Sequence, residues 1–295
     1  MPLKFSIVTP SFNQGQYLEQ TIRSVLDQRF EPLEYIVIDG GSTDESVNII
    51  KRYQDRLAYW ESERDRGQVH AINKGLARAT GDVFAFVNSD DVFLPGAFQG
   101  VADYFSRHPD CHWLCADTIM FGPGYKSELI QARVPRSAAQ CLSWDYKAPQ
   151  PGMFWKRELM ESGFDEGWPY DFDHDLYVRL LLSGHVCEHL SLPVAAYRLH
   201  PVSKTVAEGY RQDEEFDRSA AFYENQLRGA DRRWCRSTRL LRQSYQASRE
   251  GKTGDAGRLL MRAFLIYPEA VTSKPFWGCL RQLSKGSSPG RADSP

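Results

Sequence analysis

The chain has 295 residues, 42% apolar and 25% charged, enough to bury one core of roughly 200 residues with a smaller region appended. No run approaches the roughly 18 to 20 uncharged apolar residues of a membrane span, and Met1 leads straight into strand-like Leu3-Lys4-Phe5-Ser6-Ile7-Val8 with no signal-peptide core, so the protein is expected to stay in the cytoplasm. Net charge is −2, yet residues 228–295 carry fourteen Lys/Arg against five Asp/Glu, an imbalance that suits an anionic surface such as a membrane headgroup layer.

Strand patterns at 5–8, 34–38, 57–60 and 83–87 alternate with helical patterns at 17–26, 46–53, 68–77 and 95–105. This alternation predicts an α/β fold, and strands so apolar must be covered on both faces, as in a parallel sheet. Residues 110–204 form a mixed second half with short strands, a loop around Gln150-Pro151-Gly152 and a helix over 173–183. Past 205 the pattern turns helical and basic, with apolar spacing at 240–245, 259–265 and 276–283, and 285–295 is Gly/Ser/Pro-rich and expected to be disordered. The expected division is a domain over 1–204, a helical extension over 205–284 and a tail over 285–295. Cys111, Cys115, Cys141, Cys187, Cys235 and Cys279 form no CxxC pair and no zinc spacing, which suits reduced thiols.

Open sheets of this kind place their ligand crevice beyond the carboxyl ends of the strands. The four strands lead into Thr9-Pro10-Ser11-Phe12-Asn13, Asp39-Gly40-Gly41-Ser42-Thr43-Asp44, Glu61-Ser62-Glu63-Arg64-Asp65-Arg66-Gly67 and Asn88-Ser89-Asp90-Asp91. Adjacent carboxylates at a strand end repel each other unless a cation sits beside them, and hard ions such as Mg²⁺ or Mn²⁺ favour carboxylate, phosphate and water oxygens. A solvated Asp-Asp turn capping the next helix, which Pro95 would open, leaves the same trace. The glycines of Asp39-Gly40-Gly41 permit close backbone approach to a nucleoside, or simply make a turn with Thr43 or Asp44 as cap. The segment is neither GxGxxG nor a P-loop, which argues against a dinucleotide oxidoreductase and a P-loop kinase.

Taken together, these motifs resemble glycosyltransferase family 2. The resemblance extends through Ala71-Ile72-Asn73-Lys74-Gly75, Ala79-Thr80-Gly81-Asp82, Gln150-Pro151, Phe154-Trp155, Gly163-Phe164-Asp165-Glu166, Asp173-His174-Asp175-Leu176 and Tyr197-Arg198-Leu199-His200, covering residues 3–204 in order. It implies a GT-A fold, a Rossmann-like, mostly parallel sheet flanked by helices, here with a helical C-terminal extension. The implied activity is inverting transfer from a nucleotide-diphosphate sugar, a UDP-sugar, to a hydroxyl of a glycan or lipid-linked acceptor in cell-surface polysaccharide synthesis, with Mg²⁺ or Mn²⁺ as cofactor.

By the same resemblance Thr9, Pro10 and Asp39 line the nucleoside pocket, and Asp65 and Arg66 lie beside the base and phosphates. Asn88 replaces the usual acidic residue and is expected to touch the donor ribose or sugar, with Ser89 and Asp90 beside it. Asp90 and Asp91 match the metal motif, and His200 completes the metal site or contacts the diphosphate; a lone histidine after a strand can equally be structural. Asp173 matches the general base, although the usual Glu-Asp pair reads Phe172-Asp173 here. A positioned base is worth about 10² to 10⁴-fold because an acceptor hydroxyl is a poor nucleophile; a carboxylate capping the helix is the alternative for Asp173. Asp171 and Asp175 are expected to point elsewhere. Trp155, Trp168 and Tyr170 offer faces on which an acceptor sugar could stack, with core packing the alternative for Trp155 and Trp168.

A sugar-nucleotide pyrophosphorylase would need a Gly-rich basic loop after the first strand, which is absent. A catalytically inactive nucleotide-sugar-binding module or scaffold would keep the fold and lose Asp39, Asp90, Asp91 and Asp173. The Arg-rich segment 232–249 suits headgroup contact or an ordinary solvated helix, and without aromatic-basic interleaving nucleic acid is not an expected partner.

Overall fold

The computed structural model describes residues 2–143 and 145–284; the tail 285–295, expected to be disordered, lies outside them. The chain forms two compact units, Met1–Ser137 with Tyr146–Glu215, and Ala138–Asp145 with the residues from Phe216 onward.

The first unit opens with β1 Phe5–Ser11, α1 Gly15–Leu26, β2 Leu33–Asp39, α2 Ser46–Tyr53, β3 Tyr59–Ser62, α3 Gln68–Leu76 and β4 Val83–Phe86. These strands pair in parallel in the order β3-β2-β1-β4. All seven residues of β1 and all four of β4 are buried, so β4 reads as an unbroken apolar run and β1 shows no alternation of apolar and charged residues. Leu18, Ile22 and Val25 recur at helical spacing on α1 and enter a core with Phe5, Ile7, Val37 and Phe98. Gly75 lets α3 lie close on β1, since a Cβ there would come within 2.5 Å of the Val8 side chain.

The second half of this unit contains β5 Val92–Phe93, α4 Ala97–Arg107, β6 Trp113–Gly122, β7 Tyr125–Ile130, then, after α5 Ala138–Leu142, β8 Met153–Lys156, α6 Phe172–Leu182, β9 Cys187–Arg198 and α7 Lys204–Ala207; α8 Gly209–Tyr223 continues from it. Beyond β4 the sheet turns mixed: β8 is antiparallel to β4 and β6, β9 is parallel to β6, and β5 and β7 add antiparallel to β9 and β6. Pro95 does not open α4. The chain uses Val92–Phe93 as a strand, and α4 starts after a left-handed Gly96.

The first unit reaches Glu215 rather than 204 because the segment beyond 204 binds the loop before α6. Lys204 Nζ donates to the Pro169 carbonyl, the Tyr170 hydroxyl meets Glu208 and Arg211, and Glu215 Oε2 accepts the Tyr170 and Asp171 N–H groups at 2.8 and 3.1 Å.

The second unit is helical, with α5 against α9 Gly229–Arg249, followed by α10 Thr253–Ile266 and α11 Lys274–Ser284. Leu240, Leu241, Leu260, Ala263, Phe276 and Cys279 form its core. Ser237 and Ser244 donate to the Ala263 and Ala256 carbonyls at 3.0 and 2.8 Å, so α9 and α10 approach closely. Among the described residues no helix is long and apolar enough to cross a membrane, and the six cysteines are buried and form no disulfide.

Candidate active site

The turn that follows β4 is fastened from two distant elements. The Asp91 N–H closes it on the Asn88 carbonyl at 3.1 Å. From α1, the buried Thr21 hydroxyl lies 2.9 and 2.7 Å from the Ser89 and Asp91 carbonyls. From the end of β9, the Arg198 N–H donates to Asp91 Oδ1 at 2.8 Å and its Nε to the Asp90 carbonyl at 2.9 Å, while its guanidinium lies over the rings of Tyr17 and Phe121 at 4.8 and 4.5 Å. His200 is buried with its ring 4.7 Å from Tyr17; Nε2 is 3.0 Å from Asp90 Oδ2, and Nδ1 has no hydrogen-bond partner among the described residues. Asp90, Asp91 and His200 therefore do meet. Thr21, Tyr17 and the clamping role of Arg198 were not foreseen; their one trace in the sequence is Arg198 inside Tyr197-Arg198-Leu199-His200.

Burial, and then the neighbouring Asp90, push the Asp91 carboxyl well above the ordinary carboxylate range. The Arg198 guanidinium relieves the pair only in part: its charge lowers the Asp91 carboxyl, but its hydrogen bonds go to the Asp90 carbonyl and to Gln20 at 2.7 Å. Among the described residues no group of three His, Cys, Asp or Glu is arranged to hold a metal ion unaided. Two hard carboxylates short of positive charge nevertheless fit Mg²⁺ or Mn²⁺, ions that take only one or two protein carboxylates when substrate phosphates supply the rest.

The other strand ends lie along the same sheet edge. Asp39 is fully buried; Oδ2 accepts from Gly41 N, Ser42 N and the Ser62 hydroxyl at 3.1, 2.9 and 2.7 Å, and Oδ1 from the Ser42 hydroxyl at 2.6 Å. Gly40 lies against Asp65, whose Oδ2 would be 2.8 Å from a Cβ at that position, and Asp65 Oδ1 accepts the Gly67 N–H. Thr9 and Pro10 belong to β1 instead of following it, and the buried Thr9 hydroxyl is spent on Tyr35, 2.9 Å away. Arg66 does not face the turn with a free guanidinium: its Nε and one terminal nitrogen grip Glu166 at 3.0 and 2.9 Å.

Asp173 is the second residue of α6, so the capping position falls to Asp171. Phe172, standing where an acid was expected, anchors the helix start against Phe86 and Phe164 at ring distances of 5.9 and 5.5 Å. The Phe164 backbone is fixed in turn by both ends of the Asn73 amide, at 2.7 and 2.9 Å. Asp171 is engaged by His174 Nδ1 at 3.1 Å and Asp175 by Arg179 at 2.8 Å, in line with their pointing elsewhere. Asp173 is half-buried and accepts the His174 N–H at 2.9 Å; burial, followed by Asp171, pushes its carboxyl up to about 6.

The aromatic platform is not borne out at Trp155, which is fully buried and stacked on Phe86 at 6.4 Å. Trp168 is buried as well, and the Tyr170 ring is faced by Lys204 and Arg211 at 4.5 and 5.6 Å.

Several known proteins resemble this chain in sequence or in fold. An uncharacterised glycosyltransferase of Mycobacterium tuberculosis is 44% identical over 203 residues, covering 63% of this chain and 71% of the relative. A Campylobacter jejuni protein named GalNAc(5)-diNAcBac-PP-undecaprenol β-1,3-glucosyltransferase is 35% identical over 100 residues, 32% of each chain. The crystal structure of Staphylococcus aureus TarS residues 1–349 with UDP-GlcNAc superposes with a TM-score of 0.68 at 17% identity, covering 96% of this chain and 89% of that one, which places the fold among GT-A glycosyltransferases. The family model described as Glycosyl transferase family 2 matches residues 6–151, a span that takes in the ends of β1 to β4 and the whole Asn88-Ser89-Asp90-Asp91 turn, and the chain belongs to glycosyltransferase family 2.

Proposed function

We propose that this glycosyltransferase moves a sugar from a UDP-sugar to a hydroxyl of a glycan or lipid-linked acceptor, with inversion at the anomeric carbon. The observation that carries the reading is the carboxylate pair Asp90 and Asp91, one of them buried and neither hydrogen-bonded by the Arg198 guanidinium. Asp90 and Asp91 are the residues that would hold Mg²⁺ or Mn²⁺, and His200 acts on that site through the Asp90 oxygen it binds. A divalent ion, when bound, supplies Lewis-acid stabilisation of the charge that develops on the departing diphosphate.

Asp39 and Asp65, with the Thr9 and Pro10 backbone, line the nucleoside pocket. Asn88 and Ser89 face the donor ribose or sugar, and Arg66 reaches the phosphates by leaving Glu166. Asp173 accepts the acceptor hydroxyl proton as that oxygen attacks the anomeric carbon, and the bond from that carbon to the diphosphate breaks on the opposite face. The UDP-GlcNAc bound by TarS supports a UDP-sugar donor, and the undecaprenol in the Campylobacter relative's name supports a lipid-linked acceptor. A mass-spectrometric screen of nucleotide sugars tests the whole reading. Consumption of a UDP-sugar with Mn²⁺ is expected; calorimetric binding of nucleotide sugars without turnover over a broad acceptor panel would favour an inactive binding module.

Peripheral contact with the cytoplasmic face of a membrane is proposed for the second unit. Arg239 and Arg236 are committed to the buried Glu224 at 2.6 and 3.7 Å, and Arg242 to Asp217 at 3.6 Å, so part of the basic excess serves the fold. Arg258, Met261, Arg262 and Leu265 share one exposed face of α10, where Met261 and Leu265 are 61% and 71% exposed, a pairing of cations with apolar groups suited to the headgroup layer. Flotation with phosphatidylglycerol vesicles is expected to carry the protein and to weaken with salt; equal recovery on neutral phosphatidylcholine vesicles would end the proposal.

A further inference from the structure

Lys204 opens α7, four residues past His200. The residue is exposed along its length, but its ammonium is inserted among polar atoms and rings. It donates to Gln68 Oε1 at 3.0 Å and to the Pro169 carbonyl, with the Tyr170 and Phe172 rings 4.5 and 5.7 Å away. Desolvation lowers its pKa, and Asp173 is first among the carboxylates that oppose this.

An ammonium has three donors and no acceptor, so Gln68 can face it only with Oε1. Gln68 Nε2 is then aimed at Asn88 Oδ1, 2.7 Å away, which leaves Asn88 Nδ2 to donate to Asp91 Oδ2 at 3.3 Å and Gln150 Oε1 at 3.5 Å. Gln68 is thus oriented by one cation and hands that polarity to Asn88, whose Nδ2 also meets Gln150 Oε1, an amide turned that way because its Nε2 donates to the Phe86 carbonyl at 3.0 Å. We infer that Lys204 is a positioning residue for the transfer: it sets the polarity of the Gln68–Asn88 relay so that a donor meets Asp91, and it ties the acidic turn to the loop that leads into Asp173. For its effect on transfer this inference rests on the assignment of Asp91 and Asp173 above. It also accounts for the amide at position 88, since a second carboxylate there would offer Asp91 repulsion and no hydrogen.

The test uses the full chain with Lys204→Met, Lys204→Arg and Lys204→Gln, the last introducing an acceptor that lets Gln68 turn over. In ¹⁵N NMR the side-chain amide protons of Asn88, identified by their loss in Asn88→Asp, should exchange about tenfold faster in the Met and Gln variants and within about twofold of wild type in the Arg variant. In the same variants kcat for transfer should fall about tenfold, with donor KM changed by less than about threefold, as expected for a group acting through others. Unchanged amide protection overturns the relay, and lost protection with kcat intact overturns its role in transfer. Should the Met variant fail to fold, the Gln variant carries the comparison. A wild-type chain that transfers no sugar would defeat the functional proposal alone, because amide exchange reads the relay without substrate.

Discussion

Replacing Asp173 with asparagine is expected to lower kcat by about 10² to 10⁴-fold while donor binding persists, because the amide fills the same space and cannot take a proton. With the wild-type carboxyl pushed up to about 6, kcat should fall roughly tenfold per pH unit below that value, and the variant should lose this acid limb. The same shift has a second consequence. Asp173 binds its proton more tightly in the folded chain than in the unfolded one, so its stabilising contribution is complete below the ordinary carboxylate range and is lost as pH rises through about 6. At about pH 8 the ionised group costs the fold on the order of 1 to 3 kcal/mol after allowance for its partial exposure. Asp173→Asn should therefore melt higher than wild type at about pH 8 and level with it at about pH 4. A carboxylate serving only the first turn of α6 predicts the opposite, a loss of about 0.3 to 1 kcal/mol on neutralisation. Undiminished transfer by the variant at saturating donor would remove the assigned base.

The second large effect is expected at Asp91. Asp91→Ala, or excess EDTA on the wild type, should reduce transfer by at least about 10²-fold, the loss of several kcal/mol of charge stabilisation. The fold should tolerate the change, because the raised Asp91 carboxyl marks an ion that is costly to bury without a partner. Stability near neutral pH should rise or stay level as activity disappears. Full activity in EDTA would remove the cation from the account.

Much of the strand-end crevice was legible in the sequence because it is local. The apolar runs that became β1, β2 and β4, and the polar residues at their ends, lie within single stretches of about ten residues, where period and turn chemistry can be read directly. What was not legible depends on separations near a hundred residues: Arg198 on Asp90 and Asp91, Glu166 drawing off Arg66, and Lys204 reaching Gln68. Trp155 illustrates the ambiguity, since an aromatic next to a motif reads alike whether it faces a ligand or fills a core, and here it stacks on Phe86 inside the sheet. The limit expected at 204 rests on motifs alone. It marked the end of the family motifs, whereas Glu208, Arg211 and Glu215 continue to bind the loop before α6.

The convergence of the acidic turn and the α6 carboxylate on one donor is tested most directly by crystallising Asp173→Asn with Mn²⁺ and the UDP-sugar found in the screen. The account predicts anomalous density for manganese on Asp90 and Asp91, with the residue 173 side chain facing the anomeric carbon from the side away from the diphosphate. Manganese bound elsewhere, or residue 173 turned away from the sugar, would contradict it.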